Sequence, residues 1–186
     1  MLVRQPKRRL PWFSLFSLFA GLFCLLTSAT AAPASYADRS QASLQVAQTY
    51  FDAYIARDWD RLAEHLAADG QFSDPTAQAV FGQVGAQGKE ALLAYFRTNY
   101  AGITQMSFKP LRVVSASDHV IFEGTLDWDL RLPNGTVVPT RKMPFLTILR
   151  LQDGQVVDHQ DYADYGPFVT AHRLATGAQR DRTRTP

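Results

Sequence analysis

Cysteine is nearly absent from this chain. Its 186 residues hold one, Cys24, and a lone thiol forms no intrachain disulfide and no cysteine metal cluster. Histidine is scarce too, with four residues and no His-x-x-x-His spacing. Gly-x-Ser-x-Gly, a phosphate loop and a dinucleotide fingerprint are all missing. The stretch "FGQVGAQG" (81–88) follows no long buried strand and reads as a loop. The sequence therefore predicts neither a metal nor a cofactor.

Acid is missing from the N-terminus. Met1 to Arg9 carries Arg4, Lys7, Arg8 and Arg9 and no carboxylate, residues 10–27 are almost wholly apolar, and "SATAAPA" follows. A basic head, an apolar run and the small-x-small pattern Ala29-Thr30-Ala31 describe a signal peptide over residues 1–31, with a second possible cut after Ala34. The predicted location is periplasmic or secreted. The alternative is an uncleaved membrane anchor, for which the run is long enough. Phe23 stands before Cys24 where lipoprotein signals carry a small residue, so no lipid is expected there. Loss of these four cations turns a balance of 19 basic against 17 acidic residues into an excess of acid, which removes the electrostatic case for binding nucleic acid. A linker is expected over 32–40, and a disordered basic tail over 171–186, where "RLATGAQRDRTRTP" has four arginines.

Between these ends the pattern is helical, then alternating. Leu44, Ala47, Tyr50/Phe51, Tyr54 and Ile55 recur at helical spacing in 43–58. A second helix is expected over 58–70, capped by Asp58 or Asp60 and closed by Gly70. A short strand "QFSDP" stops at Pro75, 76–87 reads as a loop over a cavity, and 88–102 as a third helix. Strands are then expected over 105–118, with Pro110 at an interruption or edge, and over 119–132, 140–151 and 155–165, with turns at "PNG" and "DG". The fold class is α+β: three helices, then a four-stranded antiparallel meander that curves around them. On 119–132 the face with Gly124, Leu126 and Trp128 is apolar and points inward; Asp127 and Asp129 point outward.

Three local patterns in this order carry a resemblance: the Asp-Pro of "FSDP", the helix "GKEALLAYF", and the ending "LTILRLQDGQVVDHQDYADYGPF". Over residues 41–170 the chain resembles the SnoaL-like branch of the nuclear-transport-factor-2-like superfamily, which implies a cone-shaped sheet around an apolar pocket and, commonly, a homodimer. Against ketosteroid isomerase, the resemblance places Asp74 at the general base and Tyr50 at the oxyanion-hole tyrosine. Thr147 stands where that enzyme has a protonated aspartic acid. Against limonene epoxide hydrolase, "QDYAD" places Asp161 at a catalytic aspartate, with no arginine in the position of its partner.

The last strand, "VVDHQDYADYG", decides the rest. Alternation puts Val157, His159, Asp161 and Ala163 on one face, and the resemblance turns that face inward. It also sends Asp158 and Asp161 to opposite faces, which argues against a metal site in "DHQDYAD". A carboxyl in an apolar pocket beside histidine suits proton transfer. The expected catalytic set is Asp74, Asp161, His159 and Tyr50, with Asp74 as base. Phe72, Phe96, Trp128, Phe145 and Thr147 are expected to contact a small hydrophobic substrate. Isomerisation, hydration or dehydration, or cyclisation without a cofactor is the function implied; the alternative is a non-catalytic module that binds a ligand or dimerises.

Overall fold

The computed structural model describes residues 33–182; the expected signal peptide lies outside them. No helix among the described residues is long and apolar enough to cross a membrane. Helix α1, Tyr36–Ala56, starts at a capping box: the Ser35 side chain accepts from the Asp38 N–H, and the Asp38 carboxylate accepts from Ser35. It begins seven residues before the predicted start, inside the stretch expected to be a linker. The signal was local, a Ser-x-x-Asp box ahead of residues with little apolar periodicity. Helix α1 buries Ala47, Tyr50, Phe51, Ala53 and Tyr54 against the sheet and stops where Arg57 takes a left-handed conformation, φ 59°.

Helix α2, Trp59–Glu64, is capped by Asp58 and is shorter than its sequence suggests. Residues 66–69, expected to be helical, open strand β1, Leu66–Ser73. Tertiary pairing overrides propensity here: β1 runs parallel to β6, Gln155–Ala163, and the Val156 N–H donates to the His65 carbonyl at 2.8 Å. The predicted loop 76–87 contains α3, Gln78–Phe81, and β2, Gly85–Gln87. Then come α4, Lys89–Asn99, β3, Ile103–Ala116, β4, His119–Arg131, and β5, Val137–Gln152.

The result is a six-stranded curved sheet in the order β2-β1-β6-β5-β4-β3. It contains the expected meander, extended by β1 and β2 and made mixed by the parallel β1–β6 pair. Pro110 sits on the edge strand β3 at a register shift, as its missing N–H requires. Asp153 and Gly154, both at positive φ, form the hairpin turn from β5 to β6. Gly124 has a specific reason: a Cβ there would lie 2.2 Å from the Lys109 carbonyl oxygen and 2.7 Å from the Phe108 ring. Its absence lets Phe108 reach Phe51, whose ring stacks on Phe122 at 4.3 Å. Of the stretch 171–186 expected to be disordered, the end lies outside the described residues and residues 171–182 run within helix α5, Gly166–Arg182. Phe168 anchors it by stacking on Trp128 at 4.9 Å, with Phe81 beside it at 5.2 Å. One apolar anchor in a polar segment was too little signal to read from sequence.

Candidate active site

The parallel register pairs Phe72 with His159 and Ser73 with Gln160. One step further, Asp74 leaves the end of β1 next to Asp161 on β6. Both carboxyls enter one cavity of about 190 Å³, between the sheet and helices α1, α3 and α4. They are neighbours on one wall and do not face each other across it. Leu126, Trp128, Met143 and Phe145 line the sheet side; Tyr54, Tyr95, Asn99 and Tyr100 come from the helices; Phe81, Gln83 and Val84 come from the segment after β1.

Hydroxyls, backbone N–H groups and one imidazole hold the two carboxyls. Asp74 Oδ1 accepts from Thr76 N–H at 2.9 Å, Thr76 Oγ1 at 2.5 Å and Ala77 N–H at 2.9 Å, which is the turn forced by Pro75. Its Oδ2 accepts from the Tyr165 hydroxyl at 2.6 Å. Asp161 Oδ1 accepts from Thr147 Oγ1 at 2.6 Å and lies 2.9 Å from His159 Nε2. Its Oδ2 accepts from the Tyr54 hydroxyl at 2.7 Å, and Tyr54 receives a bond from Tyr100 at 2.6 Å. Tyr50 OH is 3.1 Å from His159 Nδ1. A neutral His159 with its proton on Nε2 lets Tyr50 donate to Nδ1 and leaves both ring nitrogens partnered.

The structure divides the predicted set. Asp74 and Asp161 line the cavity. His159 and Tyr50 are fully buried behind Asp161, with His159 packed edge-on against Tyr54 at 4.7 Å and Phe72 at 4.9 Å. These two position the carboxyl and touch no ligand space. Trp128 and Phe145 line the cavity; Phe72 and Phe96 belong to the core beneath it, and Thr147 serves as a donor to Asp161. The tyrosines 54, 95, 100 and 165 were missed. Tyrosine in place of phenylalanine at a buried helix position was the available signal, since a buried hydroxyl needs a partner.

Burial first, and then the negative charge of Asp161, pushes the Tyr50, Tyr54 and Tyr100 hydroxyls well above their ordinary pKa of 10.0. Burial, then the charge of Asp74, does the same to Tyr165. These groups therefore act as proton-bearing donors near neutral pH. In the unfolded chain they regain the ordinary value, so their contribution to stability is complete below about pH 10 and is lost as pH rises beyond it. In a spectrophotometric titration they should ionise only together with cooperative unfolding. Ionisation of all the tyrosines while the fold stays intact would contradict this placement.

Residues 47–159 match the family model of the SnoaL-like domain. The chain belongs to the SnoaL-like family. Solved structures agree on the fold. A Shewanella denitrificans protein assigned as a SnoaL-like polyketide cyclase superposes with TM-score 0.63 at 17% identity, covering 71% of this chain and 97% of that one. An LEH-like epoxide hydrolase of M. tuberculosis gives 0.56 at 14%, covering 76% and 97%. A Catenulispora acidiphila protein of ketosteroid isomerase-like fold, in complex with trimethylamine, gives 0.55 at 20%, covering 68% and 91%. No curated protein matches the chain. At these identities the SnoaL-like fold is shared, and the chemistry of this cavity has to be argued from its own side chains.

Proposed function

We propose that the cavity is an active site for cofactor-free acid–base chemistry on a small, mostly apolar molecule: an isomerisation, a hydration or dehydration, or a cyclisation. The observation that carries this reading is the pair of buried carboxyls set side by side in a wall of aromatic and aliphatic side chains. Asp74 is the proton acceptor. Three donors fix its Oδ1, and among the described residues its Oδ2 accepts from Tyr165 alone, which leaves a lone pair for a proton drawn from the ligand. Asp161, held by Thr147, Tyr54 and the Tyr50–His159 pair, binds the opposite end of the reacting group. Tyr95 and Gln83 also line the cavity and carry donors for a carbonyl or hydroxyl. The N-terminal pattern supports export to the periplasm or beyond. The exposed Leu111, Val113 and Val114 on β3 support pairing of two copies.

The second reading is a non-catalytic member that binds a ligand or dimerises. It is favoured by how fully Asp161 is engaged within the protein, as in a structural network. Proton exchange separates the two. Molecules released from the purified protein are identified by mass spectrometry and returned to it in heavy water. An acid–base enzyme exchanges a carbon-bound or hydroxyl-adjacent proton for deuterium, or turns the molecule over, at a rate that scales with enzyme. A molecule that stays bound and unexchanged at full occupancy would sink the catalytic reading and leave the binding module.

A further inference from the structure

We infer that the cavity selects a small organic cation, an amine or ammonium group on a short apolar body. This rests on the reading of the cavity as a ligand site and names the class of ligand. The argument begins with an inventory of charge. Two carboxyls, Asp74 and Asp161, enter the cavity from adjacent strands, and among the described residues no lysine, arginine or histidine lines it. Every donor that holds them is a backbone N–H, a hydroxyl or the buried His159 ring. Among the described residues the arginine–carboxylate pairs lie elsewhere, at Arg97–Asp60, Arg112–Glu123 and Arg141–Asp129. No lysine or arginine among the described residues thus reaches the two carboxyls, and the one basic ring in contact, His159, lies behind Asp161 and outside the cavity.

A neutral ligand would strip water from both carboxyls and return nothing ionic, which is costly. An anion would be repelled. A cation cancels the charge and meets a second attraction, because seven of the lining side chains are aromatic and present negative π-faces. Of these, Tyr54 and Tyr165 already donate their hydroxyl protons to the two carboxyls, so their rings stand at the edge of the charged pair. Size limits the body. A dry cavity of about 150 Å³ accepts benzene, and this one, at about 190 Å³, suits a ligand only slightly larger.

The test uses two probes of one shape, benzyltrimethylammonium and its uncharged carbon isostere neopentylbenzene, titrated against the folded protein by tryptophan fluorescence and calorimetry. The cation is expected to bind at least about tenfold more tightly than the isostere, and Asp74→Asn, checked for folding by its circular dichroism melt, should remove most of that preference. The comparison on the unaltered protein stands even if the variant does not fold. Equal binding of the two probes, or tighter binding of the neutral one, overturns the charge selection while leaving a small-molecule site. Binding of neither overturns the inference and the small-molecule reading together.

Discussion

Asp74→Asn is expected to lower turnover about 10²–10⁴-fold, the usual worth of a positioned general base, while the melting temperature changes little. Asparagine has nearly the same shape. Its Oδ1 can keep the bonds from the Thr76 and Ala77 N–H groups and the Thr76 hydroxyl that shape the turn after β1. Only the bond at Oδ2 is exchanged, and the Tyr165 hydroxyl can rotate to accept from the amide instead of donating. The stability cost should stay near that of one ordinary hydrogen bond, about 1 kcal/mol. What the amide cannot do is take a proton. The measurement is kcat on a substrate identified by exchange, paired with a thermal melt. Activity within a few-fold of the parent would remove Asp74 from the base role; a large fall in melting temperature would make it a structural turn residue.

Asp161→Ala should instead fail as a protein. Its carboxyl is the only described partner of the Thr147 hydroxyl and of His159 Nε2, and it receives the Tyr54 proton. Thr147, His159 and Tyr54 are all buried; truncation leaves the Thr147 hydroxyl and His159 Nε2 facing a void, while the Tyr54 hydroxyl can turn to Tyr100. Each unsatisfied buried group costs about 1–3 kcal/mol, and the costs are not additive within one network. A total of about 4 kcal/mol is expected, a large share of the 5–15 kcal/mol typical of a domain. Chemical denaturation of Asp161→Ala beside Asp161→Asn measures it. The asparagine variant should lose much less, because its Oδ1 can still accept from Thr147 and His159. Equal and small losses in both would mean that the network contributes little to folding.

The middle of this fold was legible because its signals are local. Strand β4 alternates, and its inner positions Val120, Phe122, Leu126 and Trp128 are buried as the pattern says. Asp127 and Asp129 turn outward to the Lys142 N–H and Arg141. Asp74, Asp161 and the inward turn of His159 were also within reach. On β6 the register slips near its start, so Val156 is buried where alternation favours Val157. A bulge of that kind leaves no mark in composition. Strand β1 was hidden for a related reason: "LAADG" has helix-forming residues and becomes a strand only because β6 lies beside it. The same pairing makes Asp74 the neighbour of Asp161. Sequence alone could therefore nominate both carboxyls without showing that they are neighbours, and it put His159 and Tyr50 in the catalytic set rather than behind Asp161.

The parallel β1–β6 pair also sets an order of assembly. The bond from Tyr165 to Asp74 spans 91 positions, and that from Ala163 to Thr76 spans 87. Contacts this distant repay their loop-closure entropy late, whereas the hairpins β3–β4, β4–β5 and β5–β6 close over short turns. A chain emerging from the ribosome can thus build the meander from its own neighbours, but it cannot form either half of the carboxyl pair in working position until residues past 160 have appeared. The site is complete only when both ends of the domain are present, so any product that stops short of β6 retains Asp74 without a cavity for it to serve.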